Sequence, residues 1–251
     1  MPEPALEVSG LSRFFGGLAA VSDVSLDLVH GEVHAVIGPN GAGKTTLINL
    51  LSGELAPSSG SIRYAGQEIA GLPPHRIARL GIARSHQRTN IFREFSAFEN
   101  CRLAAQARLP TSMRFFRPAL GHPTLADAAE RALALVGLDR PMRIAETLSH
   151  GEQRQLEIAM TLATEPKVLL LDEPLAGMGT EESARMVALI GRLAAGHAVL
   201  LVEHDMDAVF SIADRLTVMV NGRVLESGDP AAIRASAQVQ EAYLGSAEPV
   251  P

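Results

Sequence analysis

A chain of 251 residues with 47% hydrophobic composition and no tryptophan has interior enough for one large domain, and its aliphatic bias suits an α/β core. Its 22 Lys and Arg stand against 28 Asp and Glu, a net charge of −6, which argues against the broad basic face that non-specific nucleic-acid binding needs. Cys101 is the only cysteine, which excludes a disulfide framework and a thiolate metal site and points to a reducing compartment. The eight histidines lack metal-ligand spacing, and no apolar run is long enough to cross a bilayer. The opening "MPEPALEVSG" has acid and proline where a secretory signal carries basic and then apolar residues, so a cytosolic chain is expected.

In chain order, "LEVSGLSRFF" (6–15) and "VSDVSLDLV" (21–29) alternate apolar and polar residues, the pattern of half-buried strands. "GEVHAVIG" (31–38) is an apolar run ending in glycine, and "PNGAGKTTLINLLSG" then reads as a loop entering a helix. "GSIRYAGQEI" (60–69) predicts a hairpin turning at Ala65–Gly66. From about 90 to 165 the chain is rich in Ala, Leu, Arg and Glu at helical spacing, as in "LADAAERALALVGL". The basic and aromatic stretch "RLPTSMRFFRPALGHP" (108–123) within it predicts a surface loop with a local hydrophobic anchor.

"KVLLLDEP" (167–174) returns to strand, "EESARMVALIGRLAA" is an amphipathic helix and "HAVLLVEH" (197–204) the next buried strand. "DRLTVMVNGRVLESG" predicts two closing strands turning at Asn221–Gly222, followed by a disordered tail, "GSAEPVP". Strands alternating with helices imply an α/β fold with a parallel sheet covered on both faces.

Three motifs carry chemistry. In "GPNGAGKT", extended to Thr46, Gly38, Pro39, Asn40, Gly41, Ala42, Gly43, Lys44 and Thr45 fit a phosphate-binding loop. The glycines let backbone N–H groups close round phosphates, Lys44 brings positive charge to them and Thr45 offers a hydroxyl to Mg2+. A mere tight turn before a helix would not require Lys-Thr at that point. In "LLLDEP", neighbouring Asp172 and Glu173 face opposite ways at a strand end, so Asp172 can serve Mg2+ while Glu173 polarises a water as general base. Two acids abutting an apolar strand are costly unless a cation lies nearby. In "LSHGEQ" (Leu148, Ser149, His150, Gly151, Glu152, Gln153), Ser149 and Glu152 form a capping-box pattern, and a helix start of this kind is also an anion site.

The phosphate loop, "LSHGEQ", "LLLDEP" and "VEH" come in the order and spacing of the ATP-binding cassette of ABC transporters, which the chain resembles over nearly its whole length. The resemblance implies a P-loop NTPase core with a mostly parallel sheet (33–59 and 166–244), an antiparallel β subdomain (1–32 and 60–80) and an inserted helical subdomain (88–165) carrying the signature. It implies ATP and Mg2+ as cofactors, with Thr45, Gln87 and Asp172 toward the metal. Glu173, His204 and Gln87 are implied as the catalytic groups, His204 reaching the γ-phosphate. It implies head-to-tail pairing with a second cassette, identical or paralogous, so that Leu148–Gln153 serve a nucleotide held by the partner. Phe15 resembles the aromatic that stacks on adenine, with Phe14 as a core residue or the two in exchanged roles, and Val21 would line the same pocket. Two positions depart from the family pattern: His150 replaces a small residue, and Gly179 stands where many members carry aspartate.

"FFGGLAAVSDVSL", "GIARSHQRTNIF", "VEHDMDAVF" and "EAYLG" further resemble ATPase subunits of bacterial importers for branched-chain and other hydrophobic amino acids. The implied partners are transmembrane permeases and, indirectly, an extracytoplasmic substrate-binding protein; no nucleic acid is expected. The implied place is the cytoplasmic face of the inner membrane. A urea or short-amide importer and a lipid or lipopolysaccharide exporter remain alternatives at this point. A soluble ABC ATPase of repair or translation and a small-molecule kinase fit less well, the first for want of a second cassette or basic extension, the second because it would lack "LSHGEQ".

Overall fold

The computed structural model describes residues 3–85, 90–109 and 123–244. Gln87, the tail 245–251 and most of the 108–123 stretch lie outside the described residues.

Two sheets organise the chain. The first has the strand order β2-β1-β4-β5 and is antiparallel, built from β1 (Leu6–Phe15), β2 (Leu18–Leu28), β4 (Ser59–Tyr64) and β5 (Gln67–Glu68). Its β4–β5 turn has positive φ at Ala65 and Gly66, as a two-residue hairpin turn demands. The second has the order β10-β9-β3-β8-β7-β6. Its strands β6 (Ile82–Arg84), β7 (Val168–Asp172), β8 (Ala198–Val202), β3 (Val33–Ile37) and β9 (Arg215–Val220) run parallel. Only β10 (Arg223–Gly228) is antiparallel, joined to β9 through Asn221 and Gly222, both at positive φ.

Every residue of β3, β7 and β8 is buried, because both faces of the sheet are covered. The two-residue period divides them between two cores. Val33, Ala35, Ile37, Leu169, Leu171, Val199 and Leu201 face one, with α6 (Thr180–Ala194) and the helices α3 (Ala97–Ala105), α4 (Pro123–Val136) and α5 (His150–Ala163). Val36, Val168, Leu170, Ala198, Leu200 and Val202 face the other, with α1 (Lys44–Leu51) and the inner face of the antiparallel sheet. Helices α3, α4 and α5 pack pairwise. Buried Asn100 on α3 donates to the carbonyls of Phe92 and Ser96 and accepts the Phe92 N–H at 2.8 Å, tying the incoming segment to the bundle. Helices α2 (Pro74–Leu80), α7 (Met206–Ile212), α8 (Pro230–Ala235) and α9 (Ala237–Leu244) are the remaining α-helices among the described residues.

His34 on β3 is buried among these layers, its Nδ1 3.0 Å from the Asp27 carbonyl and its Nε2 2.8 Å from the Thr217 hydroxyl. The carbonyl can only accept, which assigns the proton to Nδ1 and makes Nε2 the acceptor of a neutral ring. Burial, against the pull of the Asp27 hydrogen bond, lowers its pKa to about 4 from an ordinary 6.5. The unfolded chain therefore takes up the proton first as pH falls. Stability held by neutral His34 is full above pH 6.5 and is lost progressively toward pH 4, by an amount on the order of 3 kcal/mol. Urea unfolding of wild type and His34→Gln at about pH 7.5 and about pH 5 checks this: the wild type loses the larger share on acidification.

Candidate functional site

The phosphate-loop residues occupy the turn between β3 and α1. Gly38 and Gly43 have φ of 156° and 100°, and a Cβ at either would lie 2.1 Å from the Met219 carbonyl oxygen or 2.3 Å from that of Ala20. No other residue type fits without moving backbone. The loop is held from outside by the β9–β10 turn: Gly222 donates its N–H to the Ala42 carbonyl, and its own carbonyl accepts from Ser22. Lys44, at the first position of α1, folds back so that Nζ donates to the carbonyls of Gly38 at 2.7 Å and Pro39 at 3.1 Å.

A cavity of about 330 Å³ opens over this loop. It brings together Asn40, Gly41, Ala42, Gly43, Lys44, Thr45, Thr46 and Glu173, walled by Leu18, Ala19, Ala20 and Asn221. Burial lowers the pKa of Lys44, and the nearby carboxylates of Glu173 and Asp172 oppose that shift. Glu173 sits just past β7 at φ 49°, a left-handed conformation uncommon for a residue with a side chain, and its N–H bonds the Val202 carbonyl at 2.9 Å.

Asp172, the last residue of β7, is buried, and its Oδ2 accepts from Arg84 Nη2 at 3.0 Å. The Arg84 guanidinium also reaches Asn49 Oδ1 at 2.5 Å and Ser52 Oγ at 3.2 Å on α1 and its C-terminal cap. Sequence reading passed over this arginine, since an "IAR" strand end gives no sign that it will meet an aspartate 88 residues on. The Thr45 hydroxyl lines the phosphate cradle, and the Asp172 carboxylate lies near enough to act on Lys44. A hydroxyl and a carboxylate are donors that fit Mg2+, which takes one or two carboxylates together with phosphate oxygens and water. Among the described residues there is no cluster of three His, Cys, Asp or Glu that would bind a metal without phosphate.

The aromatic expectations are corrected in part. Phe14 is 46% exposed and so is not a core residue, and Phe15 is 44% exposed with the Arg13 guanidinium 4.7 Å from its ring centroid. Val21 is fully buried between the sheets and does not line the cavity. The cavity wall takes Leu18, Ala19 and Ala20 from the start of β2 instead.

His204 follows β8 with 65% of its side chain exposed, outside the cavity lining. Next to it, Glu203 is fully buried, a residue that sequence reading missed although it is an acid at the end of an apolar strand, as Asp172 is.

The signature lies apart from the cavity, at the start of α5. Ser149 Oγ accepts the Glu152 N–H at 3.2 Å, and Glu152 accepts the Ser149 N–H at 2.7 Å, a complete capping box. That hydrogen bond from the Ser149 backbone, with Arg143 beside it, holds the Glu152 carboxyl below the usual range. Leu148 is buried, Gln153 donates to its carbonyl, and Ser149 is exposed. His150 lies against Gly177 in the turn after Glu173, and Gly151 faces Glu182, whose carboxylate lies 2.6 Å from where a Cβ would stand. Gly179 caps the start of α6 without a side-chain hydrogen bond.

With this geometry in view, comparisons with known proteins agree. A family model described as "ABC transporter" matches residues 21–176, and one described as "Branched-chain amino acid ATP-binding cassette transporter" matches residues 223–249. The chain is 44% identical to the high-affinity branched-chain amino acid transport ATP-binding protein BraF of Pseudomonas aeruginosa, over 98% of this chain and 100% of that protein. It is 41% identical to LivG of Escherichia coli, a protein of the same description, with the same coverage. The crystal structure of MJ1267, an ATP-binding cassette of an ABC transporter in its ADP conformation, superposes with a TM-score of 0.85 at 27% identity, covering 97% of this chain and 100% of that one. The phosphate cradle, the acid pair beside it and a capped signature helix standing apart are thus found in a chain that belongs to the ABC transporter family as an ATP-hydrolysing cassette.

Proposed function

We propose that this cassette powers the uptake of branched-chain or other hydrophobic amino acids, bound to permease subunits at the cytoplasmic face of the inner membrane. Full-length likeness to two branched-chain amino acid transport ATP-binding proteins supports the substrate class. The observation that carries the mechanism is the separation of two anion sites. The phosphate loop and Glu173 share one cavity, while exposed Ser149 heads a capped helix outside it. Two chains paired head to tail would bring each signature to the other's nucleotide.

In that arrangement the loop N–H groups and Lys44 bind the phosphates, Phe15 offers an aromatic face to the base, and Ser149 and Gly151 of the second chain meet the γ-phosphate. Glu173 accepts a proton from the attacking water, and His204 and Gln87 orient the reacting groups. Mg2+ when bound, held by Thr45, Asp172 and Gln87, would neutralise charge on the phosphate oxygens.

The permease would dock beside the helical subdomain. There Phe92 and Phe95 stack at 5.4 Å between centroids and are 50% and 42% exposed.

The test is assembly. Glu173→Gln at saturating MgATP is expected to run as a dimer in light scattering and as a monomer without nucleotide. A monomer in both conditions would overturn the shared-site reading.

A further inference from the structure

Glu203 is a buried ionisable group that nothing above employs. It follows β8 directly and is fully buried. A carboxylate is rarely found in such a place unless hydrogen bonds hold it, since taking it out of water is costly. Its two oxygens are engaged by two different loops. Oε1 accepts the N–H of Leu175 at 2.8 Å, and Oε2 accepts the N–H of His204 at 3.1 Å while lying 3.7 Å from His204 Nδ1. Burial pushes its carboxyl up, and the two backbone N–H groups pull it back.

Leu175 belongs to the turn that carries Glu173. That turn is closed on itself by Ala176 donating to the Glu173 carbonyl and Met178 to that of Leu175. It is anchored on the other side by the Glu173 N–H on the Val202 carbonyl, the residue just before Glu203. Hence the turn bearing Glu173, with its positive φ, meets the loop bearing His204 through one carboxylate. An apolar residue would fill the space at less desolvation cost but would leave both N–H groups without an acceptor.

We infer that Glu203 is a positioning residue whose carboxylate fixes the turn carrying Glu173 against the loop carrying His204, setting the spacing of the two groups. The inference rests on the roles proposed above for Glu173 and His204.

Glu203→Gln keeps the volume but must turn an NH2 toward one of the two N–H donors. In the full-length cassette, amide hydrogen exchange at Leu175 or His204 is expected to quicken roughly 10- to 100-fold, the weight of a charge-assisted hydrogen bond. The kcat for MgATP should fall about tenfold or more with KM within about twofold, because the phosphate loop is untouched. Glu203→Asp, still an acceptor on both oxygens, should retain more turnover than the glutamine variant, and it carries the same exchange test if Glu203→Gln does not fold. Unchanged exchange at both amides, or a loss confined to KM or to melting temperature, would overturn the inference. If Glu173→Gln and His204→Ala both keep full turnover, the proposed catalytic roles fail. If those two lose turnover while Glu203→Gln matches wild type, only the positioning role of Glu203 fails.

Discussion

Glu173→Gln is expected to lower steady-state MgATP turnover by about 10²- to 10⁴-fold, the range for removing a general base, while nucleotide affinity changes little. The substitution leaves the side-chain shape and removes the ability to take a proton. Glu173 lines the same cavity as Lys44, and the charges of Glu173 and Asp172 oppose the desolvation of that lysine. The glutamine therefore withdraws one negative charge from the cradle, which favours binding of an anionic nucleotide if it acts at all. Single-turnover hydrolysis beside equilibrium binding of a fluorescent ATP analogue separates the two effects. A rate within a few-fold of wild type would remove Glu173 from the role, because a residue at a strained φ for structural reasons alone would show its loss in stability instead.

The second large effect is steric. Gly43→Ala is expected to weaken ATP binding by about 100-fold or more, with Gly41→Ala much milder, at most about tenfold. Both glycines have positive φ, 100° and 79°, so both variants incur the strain of that conformation. Only Gly43 adds a collision, with a carbonyl oxygen 2.3 Å away in β2, whereas nothing lies within 4 Å of a Cβ on Gly41. Relief at Gly43 requires the loop or β2 to shift, and the N–H groups meant for phosphate shift with it. Isothermal titration with ATP on the three proteins decides the matter; equal losses at the two glycines would mean that strain, not crowding, sets the effect.

The strands that run into the site were legible because their chemistry is local. "KVLLLDEP" and "HAVLLVEH" are apolar runs of strand length bounded by charge, and they form β7 and β8. The Asn221–Gly222 and Ala65–Gly66 turns follow from residues that tolerate positive φ, and the α5 capping box from Ser149 and Glu152. Contacts between distant segments were not legible. Arg84 and Asp172 meet because β6 and β7 are parallel neighbours, a pairing that "GIAR" does not announce. Glu203 meets Leu175 for a similar reason, where the ends of β7 and β8 lie side by side. Val21 was set in the adenine pocket by likeness to the family pattern, while an extra residue in β2 between it and Val24, with Asp23 at φ 55°, turns it into the core. The short helices α7, α8 and α9 have too few turns to establish a period.

The sheet order has a consequence for synthesis. The strand that leads into the phosphate loop, β3, has β8 and β9 as its two neighbours, and Gly222 braces the loop itself. All three supports are translated more than 150 residues after that strand. A nascent chain on the ribosome therefore carries its complete Gly-rich motif long before the motif can take shape. On this order the loop gains its full bracing, and with it the shape for nucleotide, only once the chain has been made through Gly222.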